Sequence, residues 1–280
     1  MAPGEPLKIG LSPCPNDTFI FGALIKGLVS QNLIYEFTLE DVETLNLWAQ
    51  KRILPVSKLS FGVLPFVINY YELLPIGAAL GYGCGPLVVS LKPSLDLSEA
   101  CVAIPGLHTT AYCLLRFYSP LGKVKPLRYD QIIPALLKGE VEAGLLIHEG
   151  RFVYQKYGLH KLVDLGEWWE KKTGLPLPLG GIFVRRDLLE EIKLLFLEDL
   201  QRSLTFAQRD ISPLWEFIQK YAQEMAPETI HQHIKTFVNR FTYDLGEEGK
   251  RAVLTFLEFL KKERLIEPGF PPPFFEGGRA

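Results

Sequence analysis

Four short segments of this 280-residue chain carry side chains that could do chemistry on a small polar molecule. The first, 12–18, holds Ser12, Cys14, Asn16, Asp17 and Thr18, with prolines at 13 and 15. The prolines lack N–H groups and stiffen the loop. The polar side chains and free backbone N–H groups at a helix start could bind an anion. The same pattern also serves as a rigid strand-to-helix turn. Cys14 could act as a nucleophile near a helix N-terminus, but no base is indicated beside it, and a small buried filler is the plainer reading. The second segment, 105–111, places Thr109 and Thr110 where a strand turns into a helix. Hydroxyls and backbone N–H groups there suit a carboxylate or phosphate oxygen, or one threonine simply caps the helix. His108 reads as a surface residue. The third feature is His148, directly after the apolar run 141–147 and followed by Glu149. An imidazole titrating near 6.5 can accept a proton at neutral pH; a lone histidine can equally be structural or merely exposed. The fourth is Lys58 and Ser60. Lys58 is the only charge between Ile53 and Tyr71, so it either faces a cleft and binds an anion or sits at a strand edge.

Several elements must position these groups. Apolar runs and alternation predict strands at 7–11, 34–39, 56–60, 86–90, 101–104, 125–129, 141–147 and 182–184. Helices are expected at 18–28, 111–118, 131–138, 149–157 and 167–173, and another ends at Gln50 with Asp41 as its cap. From Asp187 onward the spacing is helical, with segments near 188–200, 212–224, 227–238 and 246–264, then a proline-rich tail. Strand–helix alternation twice, followed by helices, indicates an α/β protein of two units. The joins 91–100 and 174–186 contain Pro or Gly. If the terminal helices return to the first unit, the chain crosses between units twice. The larger domain is then 1–94 with 187–280, and the smaller is 95–186. The cleft between them lies at the carboxyl ends of strands, where α/β ligands bind.

Composition narrows the function classes. Thirty Lys and Arg against thirty-two Asp and Glu give a net charge of −2. No field is present to draw nucleic acid or an anionic membrane. Residues 73–91 are uncharged but interrupted by glycines and prolines, so they read as buried strand and loop, not as a membrane span. The four cysteines, at 14, 84, 101 and 113, have no metal or disulfide spacing. The first residues carry no basic stretch before an apolar one, so a cytoplasmic location is expected. No phosphate-binding glycine motif follows the first strand, and no nucleotide cofactor is expected. His231 and His233, two apart on a helix, point away from each other and do not suggest a metal.

Six segments together resemble the 1,4-dihydroxy-6-naphthoate synthase family of the futalosine route to menaquinone. They are Ser-Pro-Cys-Pro-Asn-Asp-Thr-Phe (12–19), Glu-Asp-Val-Glu-Thr-Leu-Asn (40–46), Lys-Leu-Ser (58–60), Pro-Gly-Leu-His-Thr-Thr-Ala-Tyr (105–112), Gly-Glu-Val-Glu-Ala-Gly-Leu-Leu-Ile-His-Glu (139–149) and Thr-Gly-Leu-Pro-Leu-Pro-Leu-Gly (173–180). The likeness covers nearly the whole chain; Gly150 stands where the family's pattern has a serine. The resemblance implies a two-lobed fold similar to type II periplasmic binding proteins, with an interdomain cleft. It implies a lyase that cleaves cyclic dehypoxanthine futalosine to 1,4-dihydroxy-6-naphthoate and dihydroxyacetone, without a redox or metal cofactor. It puts the proton acceptor on His148 and the substrate-binding segments on Lys58, Leu59 and Ser60 and on Thr110 and Ala111. Ser12, Cys14, Asn16, Asp17, Thr18, Thr109 and Glu149 are further candidates for the cleft lining. The partner implied is one small anionic substrate. Chorismate dehydratase of the same pathway and a non-catalytic solute-binding protein are competing readings. The 12–17 and 146–149 segments favour the naphthoate synthase, and the absent export leader disfavours the binding protein.

Overall fold

Alternating and fully apolar runs collapse into two mixed sheets in the computed structural model, which describes residues 5–224 and 226–277. Residues 1–4, which enter the expectation of no export leader, lie outside the described residues. The strands are β1 (Leu7–Leu11), β2 (Tyr35–Leu39), β3 (Val56–Ser60), β4 (Tyr71–Leu73), β5 (Ala79–Gly81), β6 (Leu87–Ser90), β7 (Cys101–Ile104), β8 (Lys123–Pro126), β9 (Ala143–Leu146), β10 (His160–Asp164) and β11 (Leu177–Arg185). The first sheet runs β2-β1-β3-β11-β4, with β5 beside β11. β1 is parallel to β2 and β3, and β11 is antiparallel to β3, β4 and β5. The second sheet runs β10-β6-β9-β7-β8.

Both sheets are covered by helices, so their central strands are apolar on both faces. Leu7, Ile9 and Leu11 of β1 pack with Phe19 and Phe21 of the helix Pro15–Ile25 and with Phe196 and Leu200 of the helix Glu190–Arg209. The C-terminal helical region therefore returns to the first sheet. A second cluster joins the sheets: Leu59, Phe61 and Phe183 share it with Val88, Val102 and Ile104. No helix among the described residues is long and apolar enough to cross a membrane.

The structure corrects several local expectations. β11 is nine residues long, although 174–181 reads as a Pro/Gly loop. Gly180 is there because β3 comes close: a Cβ on it would lie 2.6 Å from the Leu59 carbonyl oxygen. β11 belongs to the first sheet and β6 to the second. The chain thus passes between sheets at 82–86 and 165–176, not at 91–100 and 174–186. The uncharged run 73–91 hides the first passage, because it contains strands of both sheets around the Gly-Tyr-Gly-Cys-Gly-Pro segment 81–86. β10 is polar and escapes the apolar pattern, and β4 and β5 are only three residues each. The first helix starts at Pro15, not at Thr18, since proline suits the first helical position. The tail is docked: Leu73 N–H donates to the Pro273 carbonyl (2.7 Å), and Phe275 N–H to the Leu73 carbonyl (2.9 Å).

One contact between the two halves of the molecule can be tested directly. Gly62, in the turn Phe61–Val63 after β3, donates its N–H to Thr110 Oγ1 at 3.1 Å. A Cβ there would lie 2.6–2.7 Å from backbone atoms of Thr109 and Thr110, which cannot rotate away. Gly62→Ala should cost about 1–3 kcal/mol, as overpacking does, and lower the urea midpoint accordingly. An unchanged midpoint would contradict the close approach.

Candidate active site

The site is organised around a buried carboxylate. β1 ends at Leu11, and the helix Pro15–Ile25 begins four residues later, placing Asp17 in its first turn, fully buried. There it also meets the positive end of the helix dipole. One oxygen of Asp17 accepts from Ser12 N–H (3.1 Å) and Ser12 Oγ (2.6 Å). The other accepts from Asn16 Nδ2 (2.8 Å) and faces Lys58 Nζ at 2.9 Å. Lys58 arrives on β3, the strand beside β1, and also donates to the Gly77 carbonyl at 3.1 Å. The charge of Lys58 is therefore matched inside the protein, which revises its reading as a free anion-binding cation. Thr18 does not line the cavity: its hydroxyl folds back to the carbonyls of Cys14 and Pro15.

A cavity opens beside this pair. The first sheet contributes Ser12, Asn16, Asp17, Lys58, Leu59 and Ser60 to its wall, and the second contributes Thr109, Thr110, Ala111 and His148. The crossing segment 82–86 adds Gly85 and Pro86, and β11 adds Leu179 and Gly180. Asn46, on the helix Val42–Gln50 capped by Asp41, links the two walls. It receives the Ser60 N–H (3.0 Å) and donates to Ser60 Oγ (3.3 Å) and the His108 carbonyl (3.2 Å). Beside it, Glu43 holds His108 through its N–H and through Nδ1 (2.7 Å), so His108 is a structural partner and not a free surface residue. Both threonine hydroxyls are committed to the fold. Thr109 caps the helix Thr110–Tyr118 by accepting from Tyr112 N–H (3.2 Å), and Thr110 donates to the Leu179 carbonyl (2.6 Å). The donors left for a ligand at this end are the helix-start N–H groups of Thr110 and Ala111.

His148 follows β9 in the left-handed region, with φ of 51°, which costs a non-glycine residue strain that its surroundings must hold. The Tyr129 ring packs edge-on against it at 4.7 Å. Cys14 Sγ lies 2.9 Å from its Nδ1, supplying the pairing that the sequence does not indicate. Burial pushes the Cys14 thiol well above its ordinary value, with the Glu149 carboxyl adding to the effect. The thiol is thus a neutral hydrogen-bonding neighbour and not a thiolate. Burial pulls His148 down to about 4, against the attraction of Asp17. Its imidazole is neutral at physiological pH and able to accept a proton.

Local sequence reasoning does not find three residues. His233, on the helix Pro227–Phe237, is 1% exposed and lines the cavity, with Nε2 2.9 Å from Asn16 Oδ1. The inward spacing of Ile230, His233 and Phe237 carried that signal. Arg151 also lines the cavity. It donates to the Gly85 carbonyl (2.7 Å), but its contact with Asp164 is long, 3.6 Å, and Asp164 already caps the helix Leu165–Thr173. Arg151 is thus less closely paired than Lys58, the other cation on the wall. The third is Asn46. Glu149 lies just behind the wall, 1% exposed, and burial raises its carboxyl to about 7.

The architecture agrees with comparisons to known proteins. A family model described as menaquinone biosynthesis matches residues 7–262. The chain belongs to the menaquinone biosynthesis family. A Thermus thermophilus protein named 1,4-dihydroxy-6-naphtoate synthase is 48% identical over 271 residues, covering 97% of this chain and 99% of that one. A Streptomyces coelicolor protein of the same name is 42% identical, covering 94% and 95%. The ligand-binding component of an ABC-type import system from Staphylococcus aureus superposes with a TM-score of 0.71 at 13% identity, covering 99% of this chain and all of that one. The fold is thus periplasmic-binding-protein-like, and the chain is a menaquinone-biosynthesis enzyme built on it.

In this family member the Asp17–Lys58 pair should be energetically coupled. Asp17→Asn leaves a buried ammonium without its counter-ion and should cost about 3–5 kcal/mol in urea unfolding. Adding Lys58→Met should recover part of that loss. Strictly additive losses would contradict the pairing.

Proposed function

We propose that this enzyme is a 1,4-dihydroxy-6-naphthoate synthase, a carbon–carbon lyase that cleaves cyclic dehypoxanthine futalosine to 1,4-dihydroxy-6-naphthoate and dihydroxyacetone. The observation that carries the chemistry is a neutral imidazole, His148, held in a strained turn and facing a cavity walled by both sheets. The choice of substrate rests on the two relatives of that name, matched over nearly their full length.

In this reading His148 takes a proton from the cyclic sugar part of the substrate. The ring opens and fragments, and formation of the aromatic naphthalene drives the cleavage. The substrate carboxylate pairs with Arg151, which is held less closely by its own counter-ion than Lys58 is. The N–H groups of Thr110 and Ala111, the Ser60 hydroxyl and the remaining Lys58 proton hold the sugar oxygens, and Leu59 supplies apolar wall. The two lobes, the larger built from both ends of the chain, close over the substrate and exclude water from reactive intermediates. One small anion is the partner, which a chain of net charge −2 can hold with a few local donors. The enzyme works in the cytoplasm and needs no resident cofactor for this non-redox cleavage.

Purified protein incubated separately with cyclic dehypoxanthine futalosine and with chorismate tests the assignment. The naphthoate should form from the first and nothing from the second. Turnover of chorismate alone would make the chain a chorismate dehydratase, and tight binding without product would make it a solute-binding protein. His148→Asn should lower kcat by about 10²–10⁴-fold with an unchanged circular dichroism spectrum; a near wild-type rate sinks the role of His148. Arg151→Met should raise KM by about 10–100-fold and spare kcat, the loss of one charge-assisted contact.

A further inference from the structure

His233 lines the cavity, yet the mechanism above gives it no task. Its ring lies nearly parallel to that of His148, the planes 17° apart and the centroids 6.3 Å apart. Its two nitrogens are in opposite situations. Nε2 is 2.9 Å from Asn16 Oδ1, while Nδ1 is buried without a hydrogen-bond partner. The group within reach of Nδ1 is Glu149, with Oε2 at 3.7 Å.

The direction of each hydrogen bond follows from Asp17. A carboxylate paired with Lys58 accepts only, so Asn16 must turn its NH₂ toward it (2.8 Å). That leaves Asn16 Oδ1 facing His233, so Nε2 must carry the imidazole proton. Nδ1 of the neutral ring is then a bare lone pair, and a buried lone pair requires a donor. An ionised Glu149 would set two acceptors against each other in a buried space. Its other oxygen already receives the Gln223 N–H at 3.3 Å.

We infer that Glu149 and His233 hold one proton between them, as the acid O–H of Glu149 directed at Nδ1, and that this pair positions the turn carrying His148. Glu149 is the next residue in the chain, so a hydrogen bond on its side chain steadies the strained His148 backbone. The charged and titratable groups around the pair are His148 and Arg151 from the segment after β9, Tyr129 against the His148 ring, Cys14 and Asp17 with Lys58 from the first sheet, and Glu224. Burial holds His233 well below its ordinary value, with His148 and Arg151 adding to the effect, which disfavours the alternative of an imidazolium beside a carboxylate. Burial raises Glu149 from 4.5 to about 7. The folded protein therefore keeps a proton there that the unfolded chain has released, and loses it as pH rises through about 7.

The protonation stands on this geometry; its effect on turnover rests on His148 acting as the base proposed above. Protein labelled with ¹³C at the glutamate carboxyl carbons provides the test. The wild type should show one carboxyl titrating near pH 7, absent in Glu149→Gln. Glu149→Leu, with no donor, should lower kcat at pH 6.5 by about tenfold or more while leaving KM within about twofold. Glu149→Gln, which keeps a donor that cannot ionise, should restore most of that loss and move the alkaline fall of kcat to higher pH. Absence of the titrating carboxyl, or a kcat–pH profile unchanged in Glu149→Gln, overturns the inference. The resonance is read without substrate, so its presence supports the pair even if the wild type fails to turn over the cyclic futalosine.

Discussion

The buried carboxylate of Asp17 is the constraint on which the rest of the site depends. Its three partners, Ser12 through two atoms, Asn16 and Lys58, come from the end of β1, the first turn of a helix and the neighbouring strand. Burying two charges is costly, and a pair of this kind often adds little net stability. What it gives here is direction: an acceptor-only centre dictates which way Asn16 points and hence which nitrogen of His233 is protonated. It also matches the charge of Lys58 more closely than Asp164 matches that of Arg151.

Around that fixed charge the proton-handling groups are kept neutral by burial. His148 is pulled down, Cys14 and Glu149 are pushed up, and all stand within one connected cluster. Neutral groups in a low-dielectric site respond strongly to a proton that moves among them. The fold supplies this arrangement by bringing strand ends of two sheets to one cavity. The approach is close because glycine stands where backbone meets backbone, at Gly62 against Thr109 and Thr110, at Gly180 against Leu59 and at Gly85 against Gly166.

What was legible in the sequence is what is local. β1 and β7 are short, mainly apolar runs; Asp41 caps the helix Val42–Gln50 through its own side chain; and His148 stands directly after an apolar run that forms β9. The positions of Ser60 and Thr110 on the cavity wall could likewise be read from a strand end and a helix start. β11 could not, because its Pro and Gly read as loop when they serve the approach of β3. Nor could the contacts that complete the site. Cys14 meets His148 across 134 residues and Asn16 meets His233 across 217, separations that leave no periodic trace. Lys58 was legible as an unusual charge, but its neutralisation by Asp17 is a property of the register between β1 and β3.

The account is tested most directly by a crystal structure of the His148→Asn protein soaked with cyclic dehypoxanthine futalosine. It predicts the substrate in the cavity between the sheets, its sugar-derived carbons beside residue 148, its carboxylate on Arg151, and the Asp17–Lys58 pair intact. A substrate bound elsewhere, or one whose reacting carbons face away from residue 148, would contradict it.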